Sequence, residues 1–385
     1  MAGVLNFPTM PIVRSISPQK TLNHRRGISV RVSSESSEPS TSVSTKEVPK
    51  LGFPSSSSSS SSSSTATTPV FSPPSDFVAP NPKRFTVRPD KLIDILGASL
   101  ALFFRFATGV FVSGYSASLV PQSEIPPGTY ALEVADAIHN FEVIETKLCA
   151  PHSSKSDNWN LCDSINCYKV KETSKLGPRP EKPIEIYEFE SCPFCRKVRE
   201  IVSVLDLDVI FYPCPKKGPN FRPKVAQMGG KQQFPYMVHK SVDPNTGVAM
   251  YESDEIIKYL VGKYGDGNVP LMLSLGLFTT LTEGFAMIGR MGRGSSYTPS
   301  RLPPEPLKIW SYEGSPFCKV VREVLVELEL PHLLINCARG SPKRQMLYEK
   351  VGHFQVPYLE DPNTGVQMFE SAEIVEYLRA TYALK

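Results

Sequence analysis

Two cysteines in Cys192-Pro193-Phe194-Cys195 have the spacing of a dithiol that opens and closes as a disulfide. At a strand-to-helix junction the first, as thiolate, attacks a disulfide; the second, one helical turn inward, resolves the mixed disulfide that forms. Thiols that merely pack or hold metal are the bland alternative, and the intervening Pro-Phe with a strand in front favours the redox reading. The stretch Glu190 to Glu200 returns in altered form as Glu313 to Glu323, where the leading cysteine is Ser315 and Cys318 is left without a partner. A hydroxyl can donate a hydrogen bond to a thiolate but cannot form a disulfide.

The elements that must position these residues repeat as well. Ile184 to Phe189 and Leu307 to Tyr312 alternate apolar and polar as strands do. Apolar residues at Phe194, Val198, Ile201, Val202 and Leu205, matched by Phe317, Val321, Val324, Leu325 and Leu328, give each following helix one apolar face. A second strand, Val209 to Tyr212 or Leu333 to Ile335, leads to Cys214 or Cys337, both expected to be small buried groups. A more polar helix is predicted over Arg222 to Met228 and over Pro342 to Val351. Then come Gln233-Phe234-Pro235-Tyr236 and Gln355-Val356-Pro357-Tyr358, a hairpin around Asp243 to Gly247 or Asp361 to Gly365, and a last helix opened by Glu252-Ser253 or Glu370-Ser371. The order is βαβαββα, twice. Arg199 and Arg322 are expected to tether their helices by ion pairs.

This order, with Cys-Pro-Phe-Cys after the first strand, a proline before the third and Glu-Ser before the last helix, resembles glutaredoxins and the amino-terminal domain of glutathione transferases. The likeness covers 183–264 and 307–382. The whole resembles plant chloroplast proteins that carry such domains in tandem. It implies an α/β fold of two tandem thioredoxin-like domains with preceding apolar helical segments, and glutathione as co-substrate. It also implies that Pro235 and Pro357 are cis, presenting the backbone of Phe234 and Val356 to the glutathione cysteinyl moiety. Glu252-Ser253 and Glu370-Ser371 would receive its γ-glutamyl carboxylate at a helix start, although a serine there serves equally as a plain cap. Ser315-Pro316-Phe317 resembles the serine motif of plant tau-class glutathione transferases. Two features depart from the family: Gln233 and Gln355 stand where a cation often meets the glycyl carboxylate, with Lys231 as substitute, and only residues 265–306 separate the repeats, leaving no room for the all-helical domain that completes an electrophile pocket.

The function expected is a glutathione-linked thiol-disulfide oxidoreductase, with Cys192 as nucleophile and Cys195 as resolving thiol, acting on disulfides or glutathionylated proteins. Transferase or isomerase activity at Ser315, or a non-enzymatic module binding glutathione, a protein or an iron–sulfur cluster, are the alternatives. Helix dipole, Arg196 and Lys197 are expected to lower the Cys192 pKa.

Outside the repeats, Arg14, Lys20, Arg25, Arg26 and Arg31 precede the first acidic residue, Glu35, and no apolar core of a secretory signal is present, which fits a chloroplast transit peptide over 1–34 and a stromal location. Without those five cations the formal charge falls from +4 to −1, so no nucleic-acid-binding surface is indicated. Residues 35–89, with serine unbroken from Ser55 to Ser64 and then prolines, read as a disordered linker. Within 90–182, the apolar run from Leu92 to Val120 invites a membrane reading, disfavoured by Arg105 in its middle. It is read instead as packed helices or hairpins, because Ser99 to Phe103 with Gly109 and Gly114 aligns with Ser274 to Phe278 with Gly284 and Gly289 in the inter-repeat segment 265–306. Cys149, His152, Cys162 and Cys167 match no strong zinc pattern and no metal is predicted; free thiols or a local disulfide are the simpler readings. The second repeat is taken as 307–385.

Overall fold

In each repeat a buried strand runs into a helix that opens on proline, and these two elements fix everything around them. The computed structural model describes residues 71–75, 77–83, 86–133, 168–240, 247–290 and 292–384. The first repeat runs β4 (Ile184–Glu188), α2 (Pro193–Val204), β5 (Val209–Pro213), α3 (Phe221–Gly229), β6 (Tyr236–His239), β7 (Val248–Met250) and α4 (Ser253–Tyr264). The inter-repeat segment supplies α5 (Leu271–Ser274) and α6 (Leu277–Ile288). The second repeat is β8 (Leu307–Ser311), α7 (Pro316–Glu327), β9 (His332–Asn336), α8 (Lys343–Val351), β10 (Tyr358–Glu360), β11 (Gln367–Met368) and α9 (Ser371–Tyr382). The predicted βαβαββα order is present in both.

The two repeats share one eight-stranded sheet, in the order β11-β10-β8-β9-β5-β4-β6-β7. β4 pairs parallel with β5 and β8 with β9, and the seam is an antiparallel pairing of β5 with β9, with Ile210 opposite Leu333. Edge strands are unstable unless covered or paired, and this seam lets each repeat cap the other's edge. Ile186, Val198, Leu325 and Leu334 lie in a single hydrophobic core that runs through both repeats.

Ahead of the first repeat stands α1 (Leu92–Phe104), followed by a three-stranded antiparallel sheet of β1 (Ser116–Pro121), β3 (Tyr168–Thr173) and β2 (Leu132–Glu133), in the order β1-β3-β2. The apolar stretch therefore ends its helix at Phe104, and its tail is a strand. Among the described residues no helix is long and apolar enough to cross a membrane. Cys149, His152, Cys162 and Cys167, residues 1–70 and the loop 241–246 lie outside the described residues.

The helices before the repeats cross over. α1, preceding the first repeat, packs on α7 of the second, while α6, preceding the second, packs on α2 of the first. After α1, Val112 donates its backbone N–H to Arg339 at 3.0 Å; after α6, Tyr297 donates to Lys216 at 2.9 Å. Lys216 and Arg339 hold equivalent places in the two repeats, so these contacts fix how the upstream segments correspond. Gly109 and Gly294, with φ of +82° and +71°, are partners, as are Arg105 and Arg290. The alignment of Gly109 with Gly284 made from sequence is thus corrected by ten residues (294 minus 284): the Ser-Leu-x-Leu-Phe likeness is a coincidence of apolar composition.

Arg105 is buried and bonded to Glu200 at 2.8 Å and Glu283 at 3.0 Å. It belongs to a buried network of Arg105, Arg196, Arg199, Lys319 and Arg322 with Glu188, Glu190, Glu200, Glu283 and Glu313 that runs across the seam. Arg199 and Arg322 do tether their helices through ion pairs, and they also reach the opposite repeat: Arg199 meets Glu313 at 3.0 Å and Arg322 meets Glu190 at 2.7 Å. The end of the segment read as linker also packs, with Phe71 against Tyr382 at 5.3 Å and Phe77 against Tyr377 at 5.0 Å between ring centroids. With Lys83 bonded to Glu370 and Arg88 paired with Glu373 and Glu376, these rings lay the proline-rich stretch along α9.

Candidate active site

Cys192 caps α2. Its backbone is extended (φ −99°, ψ 117°), Pro193 occupies the first helical position, and Sγ accepts the Cys195 backbone N–H at 3.3 Å. Proline costs nothing there, since its missing N–H would be unpaired in any case. The hydrogen bond with the Cys195 thiol, together with the backbone N–H groups of Cys195 and Phe194, lowers the Cys192 pKa against the opposing effects of burial and the Glu188 charge. Burial, then the same thiol contact, pushes Cys195 well up. The pair is therefore chemically unequal, with the more acidic thiol at the helix start and the less acidic one behind it.

The positive field expected from Arg196 and Lys197 is corrected by their contacts. Arg196 turns into the buried network, 2.8 Å from both Glu283 and Glu313, and Lys197 pairs with Asp254. The helix terminus and the second thiol do the work instead.

The Phe234–Pro235 and Val356–Pro357 bonds are both cis. Cys192 Sγ lies 4.0 Å from the Phe234 carbonyl oxygen, so the dithiol and the exposed backbone of the cis-proline turn sit side by side. Gln233, one residue earlier, donates to Glu252 at 2.6 Å, and Glu252 has a φ of +63° immediately before Ser253 opens α4. Gln355 and Glu370 repeat this contact at 3.0 Å, with Glu370 at φ +72°. The glutamine that looked like a missing cation is thus the group that holds the glutamate before the helix, and its recurrence in both repeats was the available sign. Lys231, the proposed substitute, stacks over the Tyr251 ring at 4.6 Å.

Arg222 was overlooked in the sequence. Its guanidinium lies 4.8 Å from the Phe234 ring centroid and 5.4 Å from that of Phe189, and its Nε donates to the Cys214 carbonyl at 3.0 Å, so it braces the floor of the site. Cys214 and Cys337 are fully buried with their pKa values pushed up by burial, as small packed groups.

In the second repeat Ser315 caps α7 and accepts the Cys318 N–H at 3.3 Å, while burial pushes Cys318 up to about 11. Here the chain itself crowds the groove. Lys83 donates its backbone N–H to Glu370 at 2.6 Å. Tyr130 packs on Phe354 at 5.1 Å and its hydroxyl accepts from Arg344, the equivalent of Arg222, at 3.0 Å. Val110 lies so near Gly314 that a Cβ there would stand 2.3 Å from Val110 Cγ2. Among the described residues, the Glu252 carboxylate of the first repeat is bonded only by Gln233. A cavity of about 360 Å³ adjoins Ser371 of the second repeat, lined also by Asp94, Arg290, Glu323 and Glu327, where the charges already pair with one another and no cysteine is present.

Residues 186–268 and 310–385 each match the family model of the glutathione S-transferase N-terminal domain. A glutathione S-transferase-like protein of Aspergillus fumigatus, tpcF, is 32% identical over 78 residues, which are 20% of this chain and 34% of that protein. The chain thus spans about a third of the length of the curated relative it matches. A solved trimeric glutathione transferase of Leishmania, TDR1, is 14% identical, with 52% of this chain and 69% of that one covered at a TM-score of 0.20. The segments 186–268 and 310–385 are two domains of thioredoxin-like fold, each similar to the glutathione S-transferase N-terminal domain and joined to the other in one sheet.

Proposed function

We propose that the protein is a glutathione-linked thiol-disulfide oxidoreductase whose working centre is the first repeat. The observation that carries this is the inequality of the two thiols, one lowered at the start of α2 and one raised behind it. The Cys192 thiolate attacks a disulfide or a glutathionylated protein; a Cys192–substrate S–S bond forms and one substrate sulfur leaves as thiolate, taking a proton from solvent. Cys195 then gives up its proton and attacks Cys192 Sγ, releasing the second substrate thiol and leaving a 192–195 disulfide. The two electrons come from the dithiol, and two molecules of glutathione restore it as glutathione disulfide forms. Phe234 would pair with the glutathione cysteinyl backbone, and the start of α4 at Ser253 would receive its γ-glutamyl carboxylate.

The second repeat serves as scaffold in this reading. Lys83 is bonded to Glu370, and Tyr130 packs on Phe354 and Arg344, which speaks against conjugation there. The run of basic residues without acidic ones over 1–34 supports a chloroplast stromal location in this reading, testable by importing a reporter behind residues 1–34.

The test is reduction of a glutathionylated peptide by the purified chain with glutathione as donor. Cys192→Ser recreates the arrangement that Ser315 already shows to be compatible with the fold, so it should abolish turnover without unfolding. Full activity in that variant refutes the proposal.

A further inference from the structure

We propose that α1 and α6 together form a face that docks the protein on the surface of a lipid bilayer. Every exposed residue of these two helices is Leu, Ile or Phe. Ile93 is 83% exposed and Leu277 75%, and Phe106, directly after α1, is 74% exposed. The helices lie together, with Gly97 and Gly289 in backbone contact, Phe104 against Phe285 at 5.8 Å, and Asp94 near the start of α1 meeting Arg290 just past the end of α6. Their apolar stripes therefore join in one patch, larger than the scattered exposed side chains of an ordinary surface.

The polarity of α6 is inverted. In α6 the groups turned inward are Thr279, Thr282 and Glu283, all buried. Thr282 accepts from Arg105 at 2.6 Å, and Glu283 pairs with Arg105 at 3.0 Å and Arg196 at 2.8 Å. Rotating α6 to hide its apolar stripe would break these buried ion pairs, so the outward stripe is held in place by the fold. What meets it must be apolar and must ask for no hydrogen bond, because neither helix offers an exposed polar side chain. A second copy of the chain is a poorer match, since a protein interface surrounds its apolar centre with a polar rim and carries hydrogen bonds across it, for which these helices offer no exposed side chain.

At 13 and 12 residues, the helices are roughly 20 Å long, too short for a hydrocarbon core of about 30 Å. They would lie in the plane of the interface, as amphipathic membrane-surface helices do. Lys91 and the half-exposed Arg293, at the end where α1 begins and α6 finishes, pair with Asp90 and Asp94, so the apolar patch itself carries the binding and no anionic lipid is required.

The experiment is flotation of the full chain with phosphatidylcholine vesicles, with and without phosphatidylglycerol. The chain should float with both, and Ile93→Glu/Leu281→Glu should lower the bound fraction by about tenfold or more, with glutathionylated-peptide reduction unchanged as a check on folding. Should that variant misfold, Ile93→Ser/Leu277→Ser serves in its place, with a smaller loss expected. The proposal is overturned if the chain floats with neither vesicle, or if the variants float as well as the parent. It is also overturned by binding that needs phosphatidylglycerol and vanishes in salt, which would assign it to the cations alone. Light scattering that shows a dimer dissolved by the same substitutions overturns it in favour of a second copy.

Discussion

Glu190→Ala strikes the buried network at the point where the two repeats hold each other. Glu190 accepts from Lys319 at 2.8 Å, from Arg322 at 2.7 Å and pairs with Arg199 at 3.1 Å. Without it Arg322 keeps Glu313 at 3.0 Å, and Arg199 keeps Glu188 and Glu313. Lys319 keeps no ion-pair partner among the described residues. Leaving one buried charge uncompensated costs about 3–5 kcal/mol, so Glu190→Ala should lower the urea unfolding free energy at pH 7 by that amount. Removing both charges, as Glu190→Leu/Lys319→Met, restores the balance and should cost less than about half as much, since a buried pair replaced by apolar groups is often near neutral. Acid supplies a second readout. Arg199 and Arg322 hold the Glu190 carboxyl well below its ordinary 4.5 against the opposing effect of burial. A group depressed on folding contributes stability that is present above its unfolded pKa and lost as pH falls through the folded one. The gap between parent and variant should therefore be full at pH 7 and close only well below pH 4.5. Equal losses in the single and double variants, or a single-variant loss under about 1 kcal/mol, would refute the view that this network holds the seam.

Three further outcomes follow from the geometry. The rate of Cys192 alkylation by iodoacetamide in a Cys195→Ala protein should rise with pH to a plateau, and in that variant the midpoint should lie above the parent's, because the hydrogen bond from the Cys195 thiol, which alanine cannot make, is the largest influence lowering Cys192; a midpoint at or below the parent's would refute this. Burial of His332 at the seam brings its pKa down from 6.5 to about 4. The unfolded chain then takes up a proton that the folded one refuses, and over the interval from 6.5 to about 4 stability falls by roughly 3 kcal/mol at most, at 1.36 kcal/mol per pH unit. His332→Gln should flatten that part of the urea-stability profile, and an unchanged slope would count against it. Gly289→Val should destabilise by about 1–3 kcal/mol in the same assay, because a Cβ at Gly289 would stand 2.7 Å from the Gly97 carbonyl oxygen, which is backbone and cannot swing aside.

The strands, helices and caps of each repeat were legible in the sequence because their signals are local. Alternation in Ile184 to Phe189, the three-and-four spacing from Phe194 to Leu205, Pro193 behind a capping Cys192, and the Gln-x-Pro turns each concern a few consecutive residues, and duplication printed every signal twice. The unequal acidities of Cys192 and Cys195 could also be anticipated, since a helix start favours a thiolate whatever surrounds it. What surrounds it could not be read. Arg196 and Lys197 follow the first cysteine in sequence, yet their long side chains leave for Glu283, Glu313 and Asp254, residues that only folding brings near.

The same limit explains the rest. By itself the sequence determined two thioredoxin-like units and a single dithiol, because backbone propensity, capping and hydrophobic period act within a turn or a strand. Only the tertiary structure decided that β5 and β9 fuse the units, that α1 and α6 cross to the opposite repeat, and that charges such as Arg105, Glu190 and Glu283 are interior while Ile93 and Leu277 face outward. Ion pairing over more than a hundred residues and the pairing of a strand edge depend on juxtaposition in space, and a linear pattern of charge and hydropathy carries no record of which partner will be there.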